Sequence, residues 1–102
     1  MFKLGIDMTS ISRFEGKPDT FVKRILSENE YKLYLETETD LKALFLARAW
    51  AIKEAIFKAN NAYANFSQVE LYKLDKVWRF KNFSISITHE NDTLIAMVVE
   101  ND

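Results

Sequence analysis

Glu54 and Lys58 stand four residues apart in an uninterrupted helical stretch, so their side chains share one helix face. Ala47 and Ala51 lie on the same side, in the turns before them. A carboxylate and an ammonium beside a bare alanine surface suit a site that admits a ligand. The same spacing also describes an ordinary surface ion pair, contributing about 0.3–0.5 kcal/mol, and such pairs are common. Asp7 ends the alternating run Phe2 to Asp7 and shares a strand face with Lys3 and Gly5, where the glycine leaves space. Its plainer use would be to cap a turn at Thr9–Ser12. Should Asp7 and Glu54 meet, the chemistry sharpens. Two carboxylates at ~4 Å repel by about 4 kcal/mol at an effective dielectric near 20, which demands a cation or a raised pKa. Magnesium (Mg²⁺) takes one or two carboxylates and completes its shell with water and substrate phosphate. A lysine one turn away would then face the remaining phosphate charge.

Two further sets could bind. His89, the only histidine, ends the run Ser84-Ile85-Ser86-Ile87-Thr88-His89 beside a turn, where binding groups tend to lie. By parity it continues Phe83, Ile85 and Ile87, so a core-edge imidazole is an equal reading. Arg13, Lys17, Lys23 and Arg24 interleave with Phe14 and Phe21. They make a local basic and aromatic surface suited to an acidic partner, or simply the solvated side of amphipathic helices.

The elements that must position these groups follow from period and punctuation. Phe2 to Asp7 alternates and predicts a strand, with Phe2, Leu4 and Ile6 on one face. A short helical segment is expected around Ser10–Glu15, broken by Gly16-Lys17-Pro18. A helix then starts at Pro18-Asp19-Thr20. Ser27 and Glu30 have capping-box form and predict a second helix to about Leu35. Asp40 is placed to cap a long helix from Leu41 to about Asn60. There Leu41, Leu44, Phe45, Arg48, Ile52, Ala55, Ile56 and Ala59 recur at spacings of three and four. Ala47, Ala51 and Ala55 add a small-residue row where another element can approach. The period then changes to two. Gln68–Leu74, Val77–Phe83, Phe83–Thr88 and Thr93–Glu100 read as strands, with turns at Asp75-Lys76 and Glu90-Asn91-Asp92. Strand, helices, then strands predicts an α+β fold, an antiparallel sheet packed against one long helix plus short N-terminal helices.

The 102 residues, 48% of them hydrophobic, leave room for one domain spanning 1–102. With no cysteine, disulfides, a Cys-ligated zinc and a thiol nucleophile are excluded, and a reducing cytoplasm is compatible. A formal net charge of −1 gives no basic excess to suggest nucleic acid. No apolar run approaches the roughly 18–20 residues a membrane span needs, and the N-terminus lacks an apolar signal core. Two glycines and one proline exclude a Gly-rich phosphate loop. Side chains, helix ends or a metal must hold any phosphate.

Three stretches in order resemble one family: Leu4-Gly5-Ile6-Asp7, then Ala49 to Ala59 (AWAIKEAIFKA), then Ser84 to His89 (SISITH). The chain is similar to the holo-[acyl-carrier-protein] synthases, the small trimeric class of 4′-phosphopantetheinyl transferases. Arg13-Phe14, Arg24-Ile25-Leu26, Phe45-Leu46-Ala47-Arg48 and Ala96-Met97-Val98-Val99 extend the likeness over nearly the whole chain. The resemblance implies transfer of phosphopantetheine from coenzyme A to a serine of apo acyl carrier protein, in support of fatty acid biosynthesis. It implies Mg²⁺ on Asp7 and Glu54, and Lys58 at the phosphates. It puts Arg48 and His89 in the coenzyme A cleft and Arg13, Phe21 and Arg24 at the carrier protein. It also implies a cytoplasmic homotrimer with active sites between subunits. The chain departs from the family pattern after the long helix. Asn60-Asn61-Ala62-Tyr63-Ala64-Asn65 replaces a Gly-rich segment, and Leu74-Asp75-Lys76-Val77 replaces a Gly-x-Pro turn. The alternative is a module that keeps the fold and binds carrier protein or nucleotide without transfer.

Overall fold

In a computed structural model describing residues 2–102, the 18-residue helix α3 (Lys42–Ala59) lies across a three-stranded antiparallel sheet. Strand β1 (Lys3–Ser10) and strand β4 (Phe83–Glu90) flank β5 (Thr93–Glu100) in the order β1-β5-β4. Helices α1 (Asp19–Ile25) and α2 (Glu28–Glu36) fill the crossover, and β2 (Tyr72–Leu74) and β3 (Val77–Arg79) form a separate hairpin. The α+β architecture is the expected one.

Strand β1 alternates as predicted, but its faces are used unexpectedly. Gly5, Asp7 and Thr9 point toward α3, while Leu4, Ile6 and Met8 remain 62%, 55% and 68% exposed. The reason is steric. A Cβ on Gly5 would lie 1.8 Å from the carbonyl oxygen of Ala55, so strand and helix backbones touch there. The space expected beside Gly5 is filled by α3, and the Ala47–Ala51–Ala55 row is wholly buried inside the chain. Only small or short side chains fit on that face of β1. Beyond them, Leu94, Ala96 and Val98 of β5 carry the core onto Leu46, Ile52 and Ile56 of α3.

The second helix starts as the sequence dictates: Ser27 Oγ accepts from the Glu30 amide at 3.2 Å and Glu30 Oε1 accepts from the Ser27 amide at 2.7 Å. Yet Glu30 is buried, and does more than cap. Its Oε1 takes a 2.6 Å bond from the fully buried Lys53 Nζ, which also donates to Ile25 O and Phe66 O at 2.7 and 2.9 Å. Oε2 accepts the Leu71 amide at 2.6 Å. This explains why the strand expected from Gln68 begins only at Tyr72. Phe66–Gln68 is a 3₁₀ turn and the Leu71 amide bonds a carboxylate instead of a neighbouring strand. Asp40 does not cap α3; it sits within a 3₁₀ turn, Thr39–Leu41, that leads into the helix. The run Val77–Phe83 is likewise two pieces, because Lys81 turns with φ +44° and the Phe83 amide returns to Phe80 O at 2.9 Å. Both expected hairpin turns form. Asp75 and Lys76 adopt φ +52° and +65°, the left-handed pair of a two-residue hairpin.

Candidate active site

Asp7 reaches its position because β1 pairs along its whole length with β5, which sets Asp7 opposite Ala96 and turns it toward α3. It is mid-strand and caps nothing. Lys58, in the last turn of α3, donates to Asp7 Oδ1 at 3.1 Å and to Ile6 O at 3.0 Å. The lysine thus pairs across elements to Asp7. The second carboxylate oxygen, Asp7 Oδ2, is buried and has no hydrogen-bond partner among the described residues. Leaving such an acceptor unpaired costs about 1–3 kcal/mol, more when it is charged.

Glu54 completes the cluster. Burial pushes its carboxyl above the ordinary carboxylate range, the negative charge of Asp7 pushes it further, and Lys58 and Arg13 pull against both. The negative charge of Asp7 is thus felt at Glu54, and Lys58, half-exposed and bonded to Asp7, also acts on Glu54 through space. An orphaned oxygen and a destabilised neighbour, both hard oxygen donors, fit a divalent cation of the Mg²⁺ type, which needs only one or two carboxylates from the protein. Among the described residues no cluster of three or more metal-ligating side chains exists.

Arg13 is delivered by the 3₁₀ turn Ile11–Phe14, as expected for that segment. An unforeseen residue anchors the turn. Asp92, in the β4–β5 hairpin, accepts from the Ser12 amide at 2.8 Å and from Ser12 Oγ at 2.7 Å. The Arg13 guanidinium lies 4.9 Å from the Trp50 ring and 5.3 Å from the Phe14 ring. Phe21 stacks on Trp50 at 6.5 Å, with Lys17 Nζ 4.9 Å and Arg24 Cζ 5.9 Å from the Phe21 ring. Arg13, Phe21 and Arg24 thus form one basic and aromatic surface. Trp50 is its centre, and it lies outside the apolar recurrence that marks α3 in the sequence.

Arg48 and His89 lie elsewhere. Arg48 is half-buried over the Trp78 ring at 5.0 Å, in a cleft with Phe45 and Leu71, and burial lowers its pKa. His89 is exposed at the end of β4, in a different cleft beside Asn91, Thr93 and Ile95. One chain by itself does not bring these two together. Lys53, adjacent to Glu54 in sequence, belongs to the core and not to the site.

Comparison with known proteins shows the family of the chain. A family model described as the 4′-phosphopantetheinyl transferase superfamily matches residues 3–97. The chain is 45% identical over 98 residues to the holo-[acyl-carrier-protein] synthase of Mycoplasmopsis pulmonis, covering 96% of this chain and 89% of that protein. It is 44% identical over 99 residues to the holo-[acyl-carrier-protein] synthase of Mycoplasma mobile, covering 97% and 89%. Among solved structures, a holo-(acyl-carrier-protein) synthase from Bacillus anthracis in complex with CoA (3′,5′-ADP) matches with a TM-score of 0.82 at 28% identity, covering 95% of this chain and 93% of that one. The chain belongs to the 4′-phosphopantetheinyl transferase superfamily and is a phosphopantetheinyl transferase.

Proposed function

We propose that this transferase moves 4′-phosphopantetheine from coenzyme A to a serine of apo acyl carrier protein, requires Mg²⁺, and serves fatty acid biosynthesis in the cytoplasm. The observation that carries the reading is the Asp7–Glu54–Lys58 cluster. Its unpaired Oδ2 and raised Glu54 carboxyl call for a cation that a pyrophosphate substrate would share. Asp7 and Glu54 would hold Mg²⁺, which when bound offsets negative charge on the pyrophosphate. Lys58 uses two of its three N–H donors on Asp7 Oδ1 and Ile6 O, leaving the third for a phosphate oxygen. Arg13 adds a second positive charge near Glu54. In the reaction a bond forms between the carrier serine Oγ and the β-phosphorus. The bond from that phosphorus to the bridging oxygen breaks, releasing adenosine 3′,5′-bisphosphate, and the serine proton passes to solvent. Arg13, Phe21 and Arg24 present the surface for the acidic carrier protein, and Arg48 and His89 contact coenzyme A.

The working form is a homotrimer with active sites between subunits. Its support is the outer face of the sheet, where Leu4, Ile6 and Met8 continue into Ile95, Met97 and Val99 across the β1–β5 register. A contiguous exposed apolar face of this kind marks an interface. The placement of Arg48 and His89 in separate clefts also suits a coenzyme A site completed by a neighbouring copy. Ile6→Asp with Met97→Asp should lower the mass seen by light scattering from three chains to one.

The function is tested by a mass spectrum of apo acyl carrier protein incubated with the protein, coenzyme A and Mg²⁺. A gain of one phosphopantetheine is expected, absent with chelator. It should fall by orders of magnitude in Asp7→Asn and Glu54→Gln with the fold intact. No gain, while a known transferase modifies the same carrier, would leave a binding module.

A further inference from the structure

Thr9 shares with Asp7 the face of β1 that points toward α3, and like Asp7 it ends in a buried atom without a partner among the described residues: Thr9 Oγ1. The residue is only 6% exposed and stands opposite Leu94 of β5. Burial of an unpaired hydroxyl opposes folding. Valine has the same shape and a comparable strand preference, and would fill this place without that penalty. A threonine here therefore has work for its hydroxyl in some state other than the free chain.

Position says which work. Residues two apart on one strand face lie roughly 7 Å apart along the strand. That is a span one phosphate group and its hydrogen bonds can bridge. Thr9 also borders a cleft with Met8, Ser10, Arg13 and Thr93, and Arg13 is, after Lys58, the second cation that acts on Glu54. Thr9 is thus the next residue on the Asp7 face of β1, in its paired part, and shares a cleft with the arginine.

We propose that Thr9 is a further substrate-binding residue, its hydroxyl donating to an oxygen of the phosphate seated at Asp7 and Glu54. The inference rests on the transferase reading above, and names one more residue of the same site.

Calorimetry with inorganic pyrophosphate and Mg²⁺ tests it without needing turnover. Thr9→Val should weaken pyrophosphate binding about tenfold, the share of a hydrogen bond to a charged group. Its melting temperature should be unchanged or higher. Thr9→Ser, which keeps the hydroxyl, should bind within about threefold of wild type. Thr9→Ala is the second variant, expected to bind as weakly as Thr9→Val. Equal pyrophosphate affinity in wild type and Thr9→Val overturns the inference, as does a Thr9→Ser variant as weak as Thr9→Val, which would assign the effect to the methyl group. Absence of pyrophosphate binding by the wild type overturns it too. A wild type that binds pyrophosphate but never modifies the carrier would instead overturn the transfer reading.

Discussion

Gly5→Ala should do more damage than its single methyl suggests, and should damage stability and activity together. The new carbon would arrive 1.8 Å from Ala55 O, 2.7 Å from the Ala55 carbonyl carbon and 3.1 Å from the Ala59 amide nitrogen. All three atoms belong to the backbone of α3, so none can swing aside as a flexible side chain would. Restoring van der Waals contact requires strand and helix to part by about 1.5 Å. Overpacking a filled core costs typically ~1–3 kcal/mol, and rigid backbone on both sides puts this case at or above the top of that range. For a domain of this size, about 3 kcal/mol corresponds to a fall in Tm of roughly 12–24 °C. The control is Gly16→Ala. Gly16 has φ +63° and nothing within 4 Å of the added carbon, so only left-handed strain is felt. That costs about 1 kcal/mol, or roughly 4–8 °C.

The assay is thermal unfolding followed by circular dichroism, with wild type and both variants at equal protein concentration, since association shifts Tm. Activity adds the second readout. Asp7 lies two residues along the same strand and holds Lys58 at 3.1 Å. A shift of about 1 Å in a reacting group is enough to cost roughly 10²-fold in rate. Carrier modification by Gly5→Ala should therefore fall at least that far at temperatures where the variant is still folded. A Tm within a few degrees of wild type, or ordinary turnover, would refute the argument that this backbone contact sets the Asp7 position.

Three further substitutions probe the supports of the site. Lys53→Met leaves Glu30 buried without its cation and should cost about 3–5 kcal/mol in urea unfolding; adding Glu30→Gln should recover part of it, and a single-variant loss under about 1 kcal/mol would contradict the buried pair. Asp92→Ala frees the Ser12 amide and hydroxyl, loosening the turn that carries Arg13, so turnover should drop about tenfold with Tm little changed; unchanged turnover would separate Arg13 from the reaction. The Asp19 carboxyl is held below its ordinary value first by the Tyr31 hydroxyl at 2.6 Å and then by Lys23 at 3.3 Å. A depressed acid stabilises above its unfolded pKa and loses that contribution as pH falls through the folded value, so the stability gap between wild type and Tyr31→Phe should shrink from neutral to acid pH.

Local rules made much of the fold legible. The capping box at Ser27–Glu30, the two hairpin turns and the periodicity of α3 each depend on neighbours in sequence, and each stands where the residues put it. The errors share a cause: a side chain that answers to a distant partner. Glu30 draws the Leu71 amide across 41 residues and shortens β2. Asp92 reaches Ser12 across 80 residues, with no local pattern to announce it. Lys53, one position from Glu54 on a helix where charge normally means solvent, is instead buried. Nothing at short range shows that Glu30, Ile25 O and Phe66 O converge on it. The candidate site was legible as two separate acids with a lysine one turn from the second. Turning Asp7 toward α3, where Glu54 and Lys58 stand, needed the β1–β5 register.

Strand β1 joins these observations in one physical constraint. A strand packed on one side usually turns its apolar residues inward, yet here Gly5, Asp7 and Thr9 face the helix while Leu4, Ile6 and Met8 face out. Reversing the register by one residue would bury the leucine and isoleucine. It would also drive side chains into the backbone of Ala55 and carry Asp7 away from Lys58. The close helix contact therefore selects the polar face for the interior, and that face carries the residues of the proposed site. The cost is an apolar outer surface on a small domain that can spare little buried area. Covering that surface with further copies of the chain would recover the burial, and in the proposed trimer the same packing would bring a neighbour's residues toward the candidate site. In the proposed trimer site and assembly are inseparable: a charged residue at Ile6 or Met97 should abolish self-association and carrier modification together, although neither side chain faces Asp7.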